Sequence, residues 1–334
     1  MAATIKDVAK LANTSKSTVS RYLNGQRVKK QTEEALKKAI KQLNYHPNMN
    51  ARRLVMDRTQ VLGIVVDDIA NRFYSGILKG IRIVAERHGY DCVFYTWSTH
   101  REKETDFLNL LYEELADGLI FLSFRKRSAA HVKAMAEMMD PIVLIGDDAD
   151  VEEICSVDVD NYSGVRELVH YLHRIGHRDF AYISGPRNAG ATEQRANGFF
   201  DALSENGLQV NRNWVVGSDW SNEGGYKAMK KLIKSGGFSA VVASNDESAL
   251  GAIGAAHEEG YRIPKDFSIV GFDDIPLSKW FYPSLTTVKQ PFTEIGMKAA
   301  EVLFEQIDDK KDEPGKRHLL NPRLVIRNSC LRMS

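Results

Sequence analysis

Residues 4–25 read TIKDVAKLANTSKSTVSRYLNG, and the fold of the chain turns on how this stretch is parsed. Thr4, with Asp7 three residues on, has the form of a helix start: a hydroxyl cap and a returning carboxylate. Ile5, Val8, Ala9 and Ala12 then recur at helical spacing. Asn13-Thr14 makes the break, because Asn accepts the left-handed backbone that a tight turn needs. Ser15 caps a second helix whose apolar residues, Val19, Tyr22 and Leu23, are three and four apart; Gly25 ends it. So short a helix buries too little to stand alone. A third begins near Thr32, with Glu33 and Glu34 in its first turn. Its stripe is Ala35, Leu36, Ala39, Ile40 and Leu43, and Pro47 bars continuation. Two helices joined by a three-residue turn and braced by a third form a helix-turn-helix unit.

This packing leaves the polar face of residues 16–24 outward, at the size of a B-DNA major groove. Lys16, Ser17 and Arg21 are placed to reach base edges. Ser15, Thr18, Ser20 and Asn24 suit phosphates or nearby bases. A solvated helix face is the ordinary alternative, and charge decides against it. Residues 1–60 hold 13 Lys+Arg against 4 Asp+Glu, a net of +9, whereas the remainder holds 32 against 40, a net of −8. A basic segment on an acidic body presents only its first part to a polyanion.

The 334 residues suffice for two or three compact units, and 43% hydrophobic with 27% charged residues is the composition of a soluble globular chain. No apolar run approaches the roughly 20 residues of a membrane helix. The segment MAATIKDVAK has no signal-peptide core, so a cytoplasmic protein is expected. Cys92, Cys155 and Cys330 form no Cys-x-x-Cys pair and read as free thiols of a reducing compartment. The His residues lack metal-ligand spacing, and neither metal nor cofactor is expected.

From Val61 onward strand and helix alternate. VLGIVV (61–66), CVFYT, GLIFL and IVLIG are strands, with helices at 73–89, 103–115 and 128–139. A second series follows in FAYISG, AVVAS and SIVGF. Continuous apolar strands separated by helices indicate parallel sheets covered on both faces. Two series give two α/β subdomains with a cleft between them, and ligands bind such sheets at the carboxyl ends of the strands. Asp68, Asn71 and Phe73 follow the first strand, where an aromatic ring can stack on a sugar face. Asn245 and Asp246 end AVVAS, and Asp273 ends SIVGF; their amides and carboxylates can bond vicinal hydroxyls. Asp246 serves equally as the cap of the helix beginning ESALGA. Trp280-Phe281-Tyr282 reads as subunit or core packing.

TIKDVAKLANTSKSTVSRYLNG together with LNYHPNMNARRL (43–54) resembles the LacI/GalR family of bacterial transcription regulators. It departs at Asn13-Thr14, where the family commonly has Gly-Val. SNDESALGAIGAAHEEGYRIPKDFSIVGFDD (244–274) and PSLTTVKQPFTEIGMKAAEVL (283–303) extend the resemblance over the body. It implies an all-α helix-turn-helix headpiece plus an α/β periplasmic-binding-protein-like core of two parallel-sheet subdomains. The headpiece would occupy 1–47, a hinge helix or linker 48–60, and the effector and dimerisation core 61–334. Within the core, the N-subdomain would take about 61–160 and 291–320, the C-subdomain about 161–290 and 321–334. The resemblance adds Thr4, Tyr45 and Asn48 to the DNA contacts. It makes Leu54, flanked by Arg52 and Arg53, a minor-groove wedge between central base steps. In the cleft it implies that Arg195 holds effector through its guanidinium and that Trp220 stacks on it. Asp147 is a further candidate, although Gly146-Asp147-Asp148 lacks the basic residue that the family often has there. Gln290 sits at a crossover.

The function implied is an operator-binding repressor whose affinity is controlled by a small effector, a sugar or sugar derivative; a sugar phosphate, a purine or a phosphorylated carrier protein is also compatible with the family. No apolar heptad tail follows LVIRNSCLRMS, so a homodimer on a pseudo-palindromic operator is expected. A sugar-processing enzyme and a sugar transport receptor are the alternatives. The first strand runs into DDIANRF, not a Gly-rich phosphate loop, and no P-loop, Gly-x-Ser-x-Gly elbow or His-Glu-x-x-His follows. Asp273-Asp274 could pair as catalytic carboxylates, but adjacent residues at a strand end rarely give the separation that glycoside chemistry needs. A transport receptor would share the body and lack the headpiece. A regulator rather than an enzyme is therefore expected.

Overall fold

A computed structural model describes residues 3–23, 26–45, 58–66, 69, 73–96, 107–123, 126–127, 129–137, 141–146, 154–308 and 315–333. The chain divides into two units, Met1–Thr59 and Gln60–Ser334.

In the first unit α1 is Ile5–Leu11, α2 Lys16–Leu23 and α3 Lys30–Gln42. Asp7 Oδ2 accepts the Thr4 backbone N–H at 2.9 Å and its hydroxyl at 2.7 Å, which closes the first turn of α1. Asn13 adopts φ 48°, the left-handed residue of the turn. Ser15 Oγ accepts the Thr18 N–H at 3.1 Å and starts α2. Val8, Ala9, Ala12, Val19, Leu36 and Ala39 form the core, with Ile5, Tyr22, Leu23 and Tyr45 packed around it. Helix α3 begins two residues before Thr32: Lys29 is already extended, and its carbonyl accepts the Glu33 N–H.

The second unit holds two six-stranded sheets among the described residues. The N-lobe contains β1 (Val61–Val66), α4 (Tyr74–His88), β2 (Asp91–Thr96), α5 (Asn109–Tyr112), β3 (Gly118–Leu122), α6 (Ala129–Ala136), β4 (Ile142–Ile145) and β5 (Cys155–Val159). The C-lobe contains α7 (Asn161–Arg174), β6 (Phe180–Ser184), α8 (Gly190–Glu205), β7 (Val215–Gly217), α9 (Asn222–Ser235), β8 (Ala240–Ala243), α10 (Asp246–Glu258), β9 (Ser268–Asp273), α11 (Pro276–Trp280) and β10 (Thr286–Lys289). The chain then returns to the N-lobe with α12 (Phe292–Ile307) and β11 (Arg317–Leu320), and ends in the C-lobe with β12 (Arg323–Val325). Sheet orders are β11-β5-β4-β3-β1-β2 and β12-β10-β9-β8-β6-β7. The chain thus passes between lobes at 160, at 290–291 and at 321–322.

Strand β1 is buried along its length because each face meets helices. Leu62, Ile64 and Val66 pack toward α4 and α12, while Val61 and Val65 pack with Phe107, Leu108 and Val132. Helices α4 and α12 cross closely: a Cβ on Gly80 would lie 2.1 Å from the Thr293 carbonyl oxygen, and one on Gly296 2.0 Å from that of Ile77. In the C-lobe, Ala181, Ile183, Val241 and Ala243 face α9 and α10, while Tyr182, Val242, Val270 and Phe272 face α7 and α8.

Two readings of the sequence change. Of the helix placed at 103–115, the described residues hold Asn109–Tyr112; Glu114 turns to φ 52°, and the Leu115 and Ala116 N–H groups fold back on the Leu110 carbonyl. Residues 101–106 lie outside the described ones. The sheets are not wholly parallel, since β12 pairs antiparallel with β10. Of Trp280-Phe281-Tyr282, read as subunit or core packing, Phe281 packs on the core, while Trp280 is 76% exposed and Tyr282 86%.

Candidate functional site

On the headpiece, burial of Val19 fixes the rotation of α2. Ser15, Lys16, Ser17 and Arg21 are then exposed, with Thr18 and Ser20 half-buried. Ser17 and Arg21, four residues apart, share one stripe, as do Lys16 and Ser20. The Ser15 hydroxyl lies 2.8 Å from those of both Ser17 and Thr18, so three small donors cluster where the helix begins. Thr4 is exposed beside its Asp7 partner, and Tyr45 is half-buried against the headpiece core. Asn24, Asn48 and Leu54 lie outside the described residues.

In the second unit, the candidates gather where the strands of the C-lobe sheet end. Arg195, on α8, is 4% exposed. Its Nε donates to Asn161 Oδ1 at 2.8 Å and its Nη1 to the Ser244 carbonyl at 2.6 Å. The guanidinium carbon lies 3.9 Å from the centre of the Phe272 ring and 5.7 Å from that of Trp220. Its Nη2 is 3.7 Å from Asp273 Oδ1, an ion pair too long for a hydrogen bond. Asp273 ends β9 at φ 128° and receives the Gln290 Nε2 at 2.7 Å on the same oxygen. Burial pushes its carboxyl up to about 8; Arg195 opposes that rise, and Asp246 and Glu247 add to it. Arg195 and Asp273 therefore have internal partners that strand-end position did not reveal.

Trp220 sits at φ 68° and donates its indole N–H to Ser244 Oγ at 3.1 Å. A Cβ on Gly185, just past β6, would meet Trp220 Nε1 at 2.2 Å and Thr192 Oγ1 at 2.6 Å, so only glycine lets these groups close over the strand end. The buried Thr192 hydroxyl and that of Tyr182 have no hydrogen-bond partner among the described residues. Tyr182 stacks on Phe199, and its hydroxyl titration is raised by burial against the pull of Arg195.

Asn245 takes the capping role read for Asp246, and Asp246 takes another. Asn245 is the helix cap: its Oδ1 accepts the Ser248 N–H at 3.0 Å, and its Nδ2 donates to the Trp220 carbonyl. Asp246 is the first helical residue and fully buried. Its Oδ2 accepts the Ile275 N–H at 2.9 Å and the Ser278 hydroxyl at 2.6 Å, and its Oδ1 the Thr287 hydroxyl at 2.5 Å. It anchors the 275–278 turn instead of facing a ligand. Phe73 packs edge-on against Phe292 with ring centroids 4.5 Å apart, a contact inside the N-lobe and not an open stacking platform. Asp68, Asn71 and Asp147 lie outside the described residues.

The lobes also touch at a rim. The Lys126 N–H, after β3, donates to the Asn188 carbonyl at 2.8 Å, and its ammonium reaches Glu193 at 2.7 Å. Asp273 and Asp274 do not form a carboxylate pair: Asp274 is bonded to Arg327, away from the Arg195–Gln290 cluster. Among the described residues no group of three or more His, Cys, Asp or Glu could hold a metal, and no helix is long and apolar enough to cross a membrane. Sequence reasoning missed Asn161, Ser244, Thr192 and Gly185. Asn161 had a readable signal, since Asp160-Asn161 stands at the start of a helix, with Asp160 in capping position.

Residues 4–48 match the family of bacterial regulatory proteins described as lacI family, and residues 169–330 match the periplasmic binding protein-like domain. The HTH-type transcriptional repressor CytR of Escherichia coli (strain K12) is 32% identical over 98% of this chain and 96% of its own length. The lac repressor dimer bound to operator and the anti-inducer ONPF superposes with a TM-score of 0.89 at 28% identity, covering 99% of this chain and 100% of the repressor. The transcriptional regulator CelR in complex with cellobiose gives a TM-score of 0.73 at 31% identity, over 98% and 99%.

Proposed function

This chain belongs to the LacI family of bacterial regulatory proteins, a DNA-binding transcriptional repressor by that membership, and from there we propose that a neutral, hydroxyl-bearing small molecule in the core cleft, a sugar or sugar derivative, sets its grip on DNA. The observation that carries this reading is the Arg195–Asp273 pair, buried at the strand ends and separated by 3.7 Å. Arg195 Nη2 offers donors 3.7 Å from Asp273 Oδ1, and the other oxygen of that carboxyl takes no hydrogen bond among the described residues. A hydroxyl both donates and accepts, so it complements the Asp273 carboxyl in either protonation state. Burial raises the Asp273 carboxyl against the pull of Arg195, with Asp246 and Glu247 adding to the rise, and a neutral ligand adds no further charge to that balance. CelR, with its cellobiose, is similar in sequence and fold.

The remaining assignments belong to the same proposal. The headpiece is 1–47, the hinge 48–60 and the core 61–334. Lys16, Ser17 and Arg21 read bases, while Ser15, Thr18 and Ser20 bond phosphates or adjacent bases; Thr4, Asn24, Tyr45 and Asn48 complete the contact set, and Leu54 is the minor-groove wedge. Trp220, Asn245 and Gln290 join Arg195 and Asp273 around the effector. The protein acts in the cytoplasm as a homodimer on a pseudo-palindromic operator. Calorimetry of the full chain against neutral sugars including cellobiose, sugar phosphates and nucleobases tests the effector class. Binding of a neutral sugar, returned chemically unchanged, supports it; binding of sugar phosphates alone would refute it.

A further inference from the structure

Both members of the Arg195–Asp273 pair are bonded to residues where the chain changes lobe. Arg195 Nε donates to Asn161 at the first crossover, and Asp273 Oδ1 accepts from Gln290 at the second. Asn161 is 1% exposed and Gln290 4%, so neither bond competes with water. The Asn161 amide also donates at 3.2 Å to the Val159 carbonyl, the last residue of the N-lobe strand β5. The neighbouring Asp160 N–H donates to the Leu320 carbonyl at 3.0 Å, at the edge of the third crossover. The Gln290 N–H lies 3.3 Å from the Asp273 carbonyl oxygen, so side chain and backbone of the second crossover meet one residue.

We infer that Asn161 and Gln290 are positioning residues that tie the ligand seat to the angle between the lobes. The contacts form one path: Leu320 to Asp160 and Asn161, to Arg195, across 3.7 Å to Asp273, and on to Gln290. Its one loose step is the gap between the guanidinium and the carboxylate, where the proposed function seats a hydroxyl group; the inference rests on that reading for its ligand. A hydroxyl beside the gap, at about 2.8 Å from each atom, bonds both sides, and each side is fixed to a different crossover. Occupancy therefore joins two of the three connections through one bridging group.

Hydrogen–deuterium exchange on the full chain, without ligand, tests the wiring. The amides followed are those of 159–162 and of 289, 290 and 292, proline standing at 291, with strand β8 as the reference. Gln290→Met keeps the volume and removes the donor. It is expected to speed exchange at 159–162, the other crossover, by about fivefold to tenfold while β8 is unchanged, the scale of one buried hydrogen bond. Asn161→Asp keeps the acceptor for Arg195 and should leave 289–292 at the parental rate, whereas Asn161→Ala should speed it. Acceleration confined to the substituted crossover, acceleration spread equally over β8, or equal behaviour of Asn161→Asp and Asn161→Ala would overturn the inference. If Gln290→Met does not fold, the Asn161 comparison decides alone. A ligand panel without a binder would remove the effector reading and leave the exchange result standing; an unchanged remote crossover would remove the wiring whatever the panel gives.

Discussion

Replacing Asp246 separates a structural carboxylate from a ligand-facing one. The side chain is fully buried and accepts three hydrogen bonds, from the Ile275 N–H and the Ser278 and Thr287 hydroxyls. Bonds to a charged acceptor contribute about 2 kcal/mol each, so Asp246→Ala removes about 6 kcal/mol and strands three donors. Part of this is offset, because burial has already pushed the carboxyl from 3.8 up to about 6. That rise is what remains after the three bonds have lowered it, so the desolvation they offset is large, and the net loss on truncation is set by the stranded donors at about 3 kcal/mol. Asp246→Asn keeps the shape and at least two acceptor contacts, the Thr287 hydroxyl can rotate to accept from the amide, and the buried charge is gone. Its net cost should stay below about 1 kcal/mol. Urea unfolding followed by tryptophan fluorescence reads this directly, since Trp214, Trp220 and Trp280 all lie in the C-lobe. A loss below about 1 kcal/mol for Ala, or an Asn variant as damaged as Ala, would refute the reading of Asp246 as the anchor of the 275–278 turn.

Arg21→Ala should abolish preference among duplex sequences while leaving weak, salt-sensitive binding, measured by competition at two salt concentrations; unchanged selection would remove Arg21 from base reading. Arg195→Ala should keep operator binding and lose the response to effector, because the headpiece unit is untouched. Unfolding of the second unit in thermal denaturation would instead make Arg195 structural. The folded-state carboxyl of Asp273, at about 8, lies above its ordinary 3.8, so the folded protein holds more protons across that window. Stability contributed at this site therefore falls as pH rises from about 4 to about 8, and Asp273→Asn removes that fall from the pH profile of the urea midpoint.

Much of the fold was legible because the apolar runs are long and uniform: VLGIVV and GLIFL are buried along their whole length. The headpiece was legible through its caps, where Thr4, Asp7, Asn13 and Ser15 act locally, within four residues of their partners. Strands β10 and β12 escaped notice since three or four residues of mixed polarity carry no period of their own; their sheet partners define them. The same limit applies to the cleft. Strand-end position located Asp273, the family resemblance pointed to Arg195 and the crossover to Gln290, but the bonds that join them span 17 to 34 residues along with Asn161. Asn245 and Asp246 were adjacent polar residues at one helix start, and their roles divide only once Ser278 and Thr287 are brought beside the second.

The most direct test of the account is the affinity of the full chain for a duplex that it has itself selected from random sequence, titrated with and without whichever panel compound calorimetry shows to bind. Saturating the cleft should change that affinity by about fivefold to 150-fold, with the compound's own affinity changing by the same factor when DNA is present. A compound that fills the cleft and leaves operator affinity unaltered would contradict it.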